Sequence, residues 1–352
     1  MRRIWKYMIG AAVALQLTAC VEEIDLEELR PDPTLVVNCV AQAGKPLEVG
    51  VSRTWFFTDD HQNVPLEDAE VNLYVNDSFR EKLRFEEGET VYNMPGQHQA
   101  SYVPREGDRI HLEISHPEFG KAQAETVVPK QAKVLKADIH YLPEEGSGYG
   151  RKGTILYQVT ICDDNTRDNY YLLRIDRAVP VFDRKAKQYI GFYDIPLYID
   201  YTTDPIFGSA FTALDQIFGS VTLQNDHGVI FSDELLNGKA EYTFQLRQDA
   251  YSASPGGNVY FINVSDSGLS PDEYEPVPAS RLWVYLYEIS ADYYKYLKAL
   301  QEQDSGALTN ALIDAGLAEP IRVFSNVDGG VGIVGSCNPY LFEQEMDFSI
   351  PE

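Results

Sequence analysis

Thr154-Ile155-Leu156-Tyr157-Gln158-Val159-Thr160-Ile161-Cys162 sets Ile155, Tyr157, Val159 and Ile161 against Leu156, Gln158, Thr160 and Cys162. A period of two places the first set on one side of an extended chain, so the stretch predicts a β-strand with one buried face. The same alternation recurs along the sequence. Leu47, Val49 and Val51 alternate with Glu48 and Gly50, following the β-rich run Leu35-Val36-Val37-Asn38-Cys39-Val40 and a turn marked by Gly44 and Pro46. Ala69-Glu70-Val71-Asn72-Leu73-Tyr74-Val75 reads likewise, as do Ile110, Leu112 and Ile114 against His111, Glu113 and Ser115. Further strands are predicted over 240–246, 258–264 and 281–288. Short alternating runs punctuated by Pro95-Gly96, Gly107-Asp108, Pro117 and Gly120 argue for a sandwich.

The expected fold is therefore mostly β. An immunoglobulin-like β-sandwich is predicted over 34–130, closed by Thr126-Val127-Val128-Pro129, and a second β-rich domain with one amphipathic helix over 131–352. Asp163-Asp164-Asn165-Thr166-Arg167-Asp168-Asn169 reads as a hairpin loop that returns residues 170–175 beside 154–162. The helix is predicted near 291–303, capped by Ser290. Its Tyr293, Tyr296, Leu297 and Leu300 recur at helical spacing while Lys295, Lys298 and Glu302 face water. An aromatic stripe of this kind packs a core.

The segment ahead of the strands carries a targeting pattern. Arg2, Arg3 and Lys6 precede an apolar run over 8–17, too short for a membrane span, which needs roughly 20 helical residues. The run ends in Leu17-Thr18-Ala19-Cys20, so residues 1–19 read as a lipoprotein signal peptide removed ahead of a diacylated Cys20. Residues 20–33 then form the lipidated cysteine and an acidic tether, Val21-Glu22-Glu23-Ile24-Asp25-Leu26-Glu27-Glu28 followed by Pro31 and Pro33. Fully extended, the tether reaches roughly 40 Å at about 3.3 Å per residue. Acidic residues just after such a cysteine resemble the export tag of Bacteroidota surface lipoproteins, so the expected location is the outer membrane, lipid-anchored, at the cell surface.

Charge narrows the choice of partner. The chain has 54 Asp and Glu against 29 Lys and Arg, a net charge of −25. Loss of Arg2, Arg3 and Lys6 with the signal would leave 26 basic residues and a charge of −28. Nucleic acid is not an expected partner, because phosphate binding takes a basic stripe. An acidic surface suits solubility, cations or a basic partner.

Four segments together carry a family resemblance. Asp163 to Tyr171 with its Asp-Asn-Tyr-Tyr ending, Phe231-Ser232-Asp233-Glu234-Leu235-Leu236-Asn237-Gly238-Lys239, Asp292-Tyr293-Tyr294-Lys295-Tyr296-Leu297-Lys298-Ala299-Leu300, and the segment 319–332 ending Asp328-Gly329-Gly330-Val331-Gly332 resemble, in that order, the Bacteroidota lipoprotein family catalogued as domain of unknown function 4249. Leu66-Glu67-Asp68-Ala69-Glu70-Val71-Asn72-Leu73-Tyr74 resembles its immunoglobulin-like modules. Ile333-Val334-Gly335-Ser336-Cys337 departs from the aromatic-containing stretch usual in the family and leaves the role of Cys337 open. The resemblance implies an outer-membrane accessory lipoprotein that accompanies TonB-dependent transporters, with no catalytic residue to carry over.

The residues themselves point the same way. G-x-S-x-G, P-loop and H-E-x-x-H patterns are absent from the sequence, no cofactor is expected, and His111 and His116 fall on opposite faces of one strand. Asp163, Asp164 and Asp168 offer oxygen ligands for a calcium ion, without the EF-hand spacing, or serve as turn-forming Asx residues. Trp55-Phe56-Phe57, beside Asp59, Asp60 and His61, either lies under a loop or contacts a ligand or partner. Cys39 reads as a buried free thiol, and any disulfide is expected to join Cys162 to Cys337, the latter placed in a Gly-Ser-Asn-Pro loop. The expected function is binding, as accessory partner of a transporter. A structural or adhesin-type surface lipoprotein is the alternative, and an exported hydrolase the third reading.

Overall fold

The computed structural model describes residues 30–56, 58–59, 64–88, 95–143, 153–208, 228–249, 260–262, 278–305 and 323–346. Over these the chain is mostly β. The first body contributes β1 (Leu35–Gln42), β2 (Glu48–Arg53), β3 (Glu70–Val75), β4 (Ser78–Lys82), β5 (Arg84–Glu86), β6 (Gln97–Gln99), β7 (Arg109–His116) and β8 (Gly120–Val127). There follow β9 (Lys133–Pro143), β10 (Gly153–Cys162), β11 (Tyr170–Asp183), β12 (Gln188–Pro196), β13 (Val229–Ser232), β14 (Glu241–Asp249), β15 (Tyr260–Ile262) and β16 (Arg281–Ile289). Helix α1 (Ala291–Ser305) and β17 (Gly330–Glu345) complete the series.

Three sheets result. One runs β12-β11-β16-β17-β1-β2-β6-β5, with β13 and β15 also on β11; the others run β14-β10-β9 and β4-β3-β7-β8. The alternation read from the sequence is what fills the space between them. In β7 the inward set Ile110, Leu112 and Ile114 meets Leu35, Val37, Val49 and Val51 of β1 and β2 in a first core. In β10 the inward set Ile155, Tyr157, Val159 and Ile161 meets Tyr171, Leu173, Ile175, Leu282, Val284 and Leu286 in a second. Fully burying side chains of this size stabilises by about 1.5–3 kcal/mol each.

The predicted hairpin across 163–169 is not formed. β10 pairs with β9 and β14, whereas β11 pairs with β12, β13, β15 and β16. The two strands lie face to face across the second core instead of side by side. Alternation fixes which side of a strand is buried and leaves its lateral partner open, so the same pattern serves both arrangements.

The β1–β17 pair ties the first described strand to the last. β17 runs parallel to β1, with Leu35 opposite Gly330 and Gln42 opposite Cys337. Gly332, at φ +118, lies so close to Val37 that a Cβ there would overlap the Val37 carbonyl oxygen. The Gly-Gly-x-Gly segment is thus a requirement of close strand approach, met by residues without a Cβ.

Val128 belongs to the first core and Ala132 to the second, but β17 stitches the passage between them. The buried Ser336 hydroxyl donates to the Val127 carbonyl (2.6 Å) and bonds the Thr126 hydroxyl (2.9 Å). Asn338 Nδ2 donates to the Pro129 carbonyl (3.0 Å) and Gln131 Nε2 to the Pro339 carbonyl (2.7 Å). Asn326 completes the ladder, donating to the Val334 carbonyl and accepting from its N–H, both at 2.9 Å.

Helix α1 packs on this strand through Tyr293, which lies over Gly335. Ser290 precedes it, its carbonyl accepting the Tyr294 N–H (2.9 Å) and its hydroxyl accepting the Ser336 N–H (3.1 Å). Tyr293, Tyr296, Leu297 and Leu300 are half-buried, while Lys295 and Lys298 are exposed.

Candidate functional site

The loop after β2 meets the point where the chain enters the body. Cys20 and Phe57 lie outside the described residues. Arg30 donates to Asp59 (2.6 Å) and Thr58 (3.0 Å), and its guanidinium lies 4.9 Å from the Phe56 ring centre. Asp59 also accepts from the Phe56 N–H (3.0 Å) and from Arg53 (3.3 Å). The Phe56 N–H first, and then Arg30 and Arg53, hold the Asp59 carboxyl down at about 2. The aromatic triplet is therefore split: Phe56 is half-buried under Arg30, and Trp55 is exposed.

The 163–169 loop is a polar junction. Buried Asp163 accepts from the Tyr171 hydroxyl (2.5 Å) and the Asn169 amide (3.3 Å), and burial pushes its carboxyl up. Asp164 accepts from the Thr166 hydroxyl, Lys130 and Arg167, which hold its carboxyl far below the usual range. Arg167 reaches on to the buried Glu288 (2.6 Å). Asp168 is exposed. The carboxylates of Asp163 and Asp164 are thus occupied by different partners, and among the described residues no group of three or more His, Cys, Asp or Glu could hold a metal ion.

Cys39, Cys162 and Cys337 are free thiols. Cys337 is not in a loop: it sits inside β17, opposite Ile289, and is buried, while Cys162 is exposed at the end of β10 in another sheet. The expected Cys162–Cys337 bridge is therefore not formed. Gly335, Ser336, Asn338 and Pro339 suggested a turn because their types favour one, yet here they serve close packing and the side-chain bonds to 126–131.

A further site escaped the sequence reading. On the side of β11 and β16 turned away from the second core, Asp176 faces Trp283 across the ladder and Arg174 faces Tyr285. Asp194 of the neighbouring β12 faces Ala178. The Arg174 guanidinium lies 2.8 Å from Asp176, 3.4 Å from Asp194 and 4.5 Å from the Tyr285 ring centre. Trp283 stands between Phe192 (6.4 Å) and Tyr285 (6.2 Å), with Tyr287 stacked beyond at 6.1 Å. The Asp176 side chain is 1% exposed and that of Asp194 is 44% exposed, so the group runs from a buried carboxylate to one at the solvent-facing rim. Burial raises the Asp176 carboxyl to about 6 against the pull of Arg174.

Hydrogen bonding in this site is incomplete. Asp176 Oδ1, Arg174 Nε and Trp283 Nε1 are buried and find no hydrogen-bond partner among the described residues, while Asp176 Oδ2 is held by the Arg174 ion pair. Each such group costs about 1–3 kcal/mol when left unpaired, and native folds leave few of them. The signal in the sequence was the pair of polar residues at 174 and 176 inside an apolar strand, opposite an aromatic row spaced by two. A separate groove of about 550 Å³ lies on the outer face of β3, β7 and β8, lined by Glu70, Glu113, Lys121, Gln123 and Asp328.

No curated protein matches this chain. One family does, over residues 21–340, a span that holds all of β1 to β16, helix α1, the Gly-rich start of β17 and every residue of the Asp176 site. That match covers most of the sequence, and the chain belongs to the family described as Domain of unknown function (DUF4249).

Proposed function

We propose that this chain is a lipid-anchored binding protein on the outer face of an outer membrane, acting as accessory partner of a TonB-dependent transporter. The face around Asp176 carries the binding reading, because Asp176 Oδ1, Arg174 Nε and Trp283 Nε1 find no hydrogen-bond partner among the described residues beside an aromatic row, with exposed Asp194 next to them. Leu17-Thr18-Ala19-Cys20 supports the anchor, as does a family match that starts at residue 21, directly after that cysteine. Arg30 fastens the end of the tether to the body, and a short tether raises the effective concentration of any membrane-bound partner. The acidic surface suits a partner with a basic patch. On this reading the body over 34–130 is an immunoglobulin-like sandwich.

The test is labelling and crosslinking in intact source cells. Wild type is expected to take up labelled palmitate and Cys20→Ala to take up none. Crosslinking followed by mass spectrometry is expected to join the protein chiefly to one outer-membrane barrel, with a yield that falls in high salt. Label on the Cys20→Ala chain overturns the anchor. Filaments without a barrel crosslink favour the structural surface component.

A further inference from the structure

We infer that the face around Asp176 takes a neutral ligand rich in neighbouring hydroxyls, the chemistry of a saccharide or another polyol. The inference rests on the binding reading above and not on the anchor or the transporter. A missing barrel crosslink therefore leaves it standing, and a failure to bind polyols leaves the anchor standing.

The unpaired groups define the ligand. Asp176 Oδ1 presents an acceptor, its Oδ2 being ion-paired with Arg174, and Arg174 Nε–H and Trp283 Nε1–H present two donors, all on one side of two adjacent strands. A hydroxyl both donates and accepts, so a pair of neighbouring hydroxyls can serve the carboxylate and the two N–H groups together. An anion would meet Asp176 and Asp194. A cation would meet the Arg174 guanidinium and offer nothing for the two N–H groups to donate to. A wholly apolar ligand would leave Asp176 Oδ1 and the two N–H groups unpaired.

The walls fit the same chemistry. Arg174 is spent on the face of Tyr285 and Arg281 on that of Phe192 (4.4 Å), which leaves the indole of Trp283 between them as an apolar surface for the C–H face of a ring. Asp194 at the rim accepts from a hydroxyl farther out. Pockets that orient a ligand with a few placed polar groups against aromatic walls are built in this way.

The experiment titrates the intact, detergent-solubilised protein calorimetrically with maltoheptaose, xylohexaose, laminarihexaose and, as small polyols, sorbitol and glycerol. At least one is expected to bind, an oligosaccharide in preference to a small polyol if the source is a glycan and the reverse if it is a free polyol. Asp176→Asn and Trp283→Phe, each checked for folding by circular dichroism, are expected to weaken that binding at least tenfold, and Asp194→Asn by less. Phe79→Leu, exposed on β4 of another sheet, is expected to leave it unchanged. Binding of no probe up to about 10 mM, the weak end of specific recognition, overturns the inference. So does binding that survives both Asp176→Asn and Trp283→Phe, or a crystal soaked in all five probes that shows ordered water alone on Asp176.

Discussion

Tyr293 of helix α1 lies on Gly335 of β17 so closely that a Cβ added to the glycine would stand 2.6 Å from the Cβ of the tyrosine. The contact lies close to the backbone of both residues, where no flexible side-chain end can yield. Gly335→Ala is expected to destabilise the fold by about 1–3 kcal/mol through overpacking, read as a lower urea midpoint. Tyr293→Ala in the same chain should relieve part of that loss, so the double variant should fall short of the sum of the single ones.

Asp176 makes stability depend on pH in the direction opposite to an ordinary paired carboxylate. Burial raises it from 3.8 to about 6, with Arg174, Asp194, Tyr285 and Tyr287 facing it. Between those values the folded chain holds a proton that the unfolded chain has released, so this group's contribution falls as pH rises from about 4 to 6. At pH 7.5 the buried charge is unfavourable by up to about 3 kcal/mol, at 1.36 kcal/mol per unit. Asp176→Asn is expected to raise the urea midpoint at pH 7.5, with the gain shrinking below pH 5. A more stable protein that has lost its ligand is the signature of a site kept for binding.

Burial sorts the three described thiols into two classes. It pushes Cys39 and Cys337 up to about 12, while Cys162 is exposed. Iodoacetamide at pH 8 is expected to modify Cys162 rapidly and the other two only once denaturant is added. Peptide mapping without reduction, after alkylation in denaturant, should recover all three modified. A Cys162–Cys337 bridge would leave that pair unmodified.

The Arg30–Asp59 contact should govern how firmly the tether is seated. Asp59 gathers Arg30, Arg53 and the Phe56 N–H, and this arrangement is lost as pH falls through about 2, below the ordinary 3.8. Asp59→Asn weakens both ion pairs at every pH. Limited proteolysis is expected to cut ahead of residue 34 faster in that variant at pH 7, with cleavage inside the body unchanged.

The strands were legible because alternation is local. The inward sets of β1, β7 and β10 need only the chain's own period of two, and each is buried as read. Lateral partners were not legible. Residues 163–169 have the length and composition of a hairpin loop, yet β11 pairs in another sheet and shares a core with β10 through residues such as Tyr157, Ile161 and Tyr171. The Asp176 site was hidden for a related reason: a polar residue on the outward phase of a strand reads as solvent-facing, and its burial comes from tertiary structure. The Gly-Gly-x-Gly segment was visible as a motif, yet its reason, the approach to Val37, lies at the far end of the chain.

The parallel pairing of β1 with β17 also sets an order of events. β1 has one neighbour, β2, within its own hairpin, while its other edge stays open until residues 330–337, about 295 positions on, are present. Contacts this distant in sequence form slowly, because the loop they close is long. Until then β1 presents a free edge built from Leu35, Val37 and Cys39, the kind of surface on which chains aggregate. β17 therefore acts as a latch: it covers the open edge of the first described strand only when the last described strand arrives.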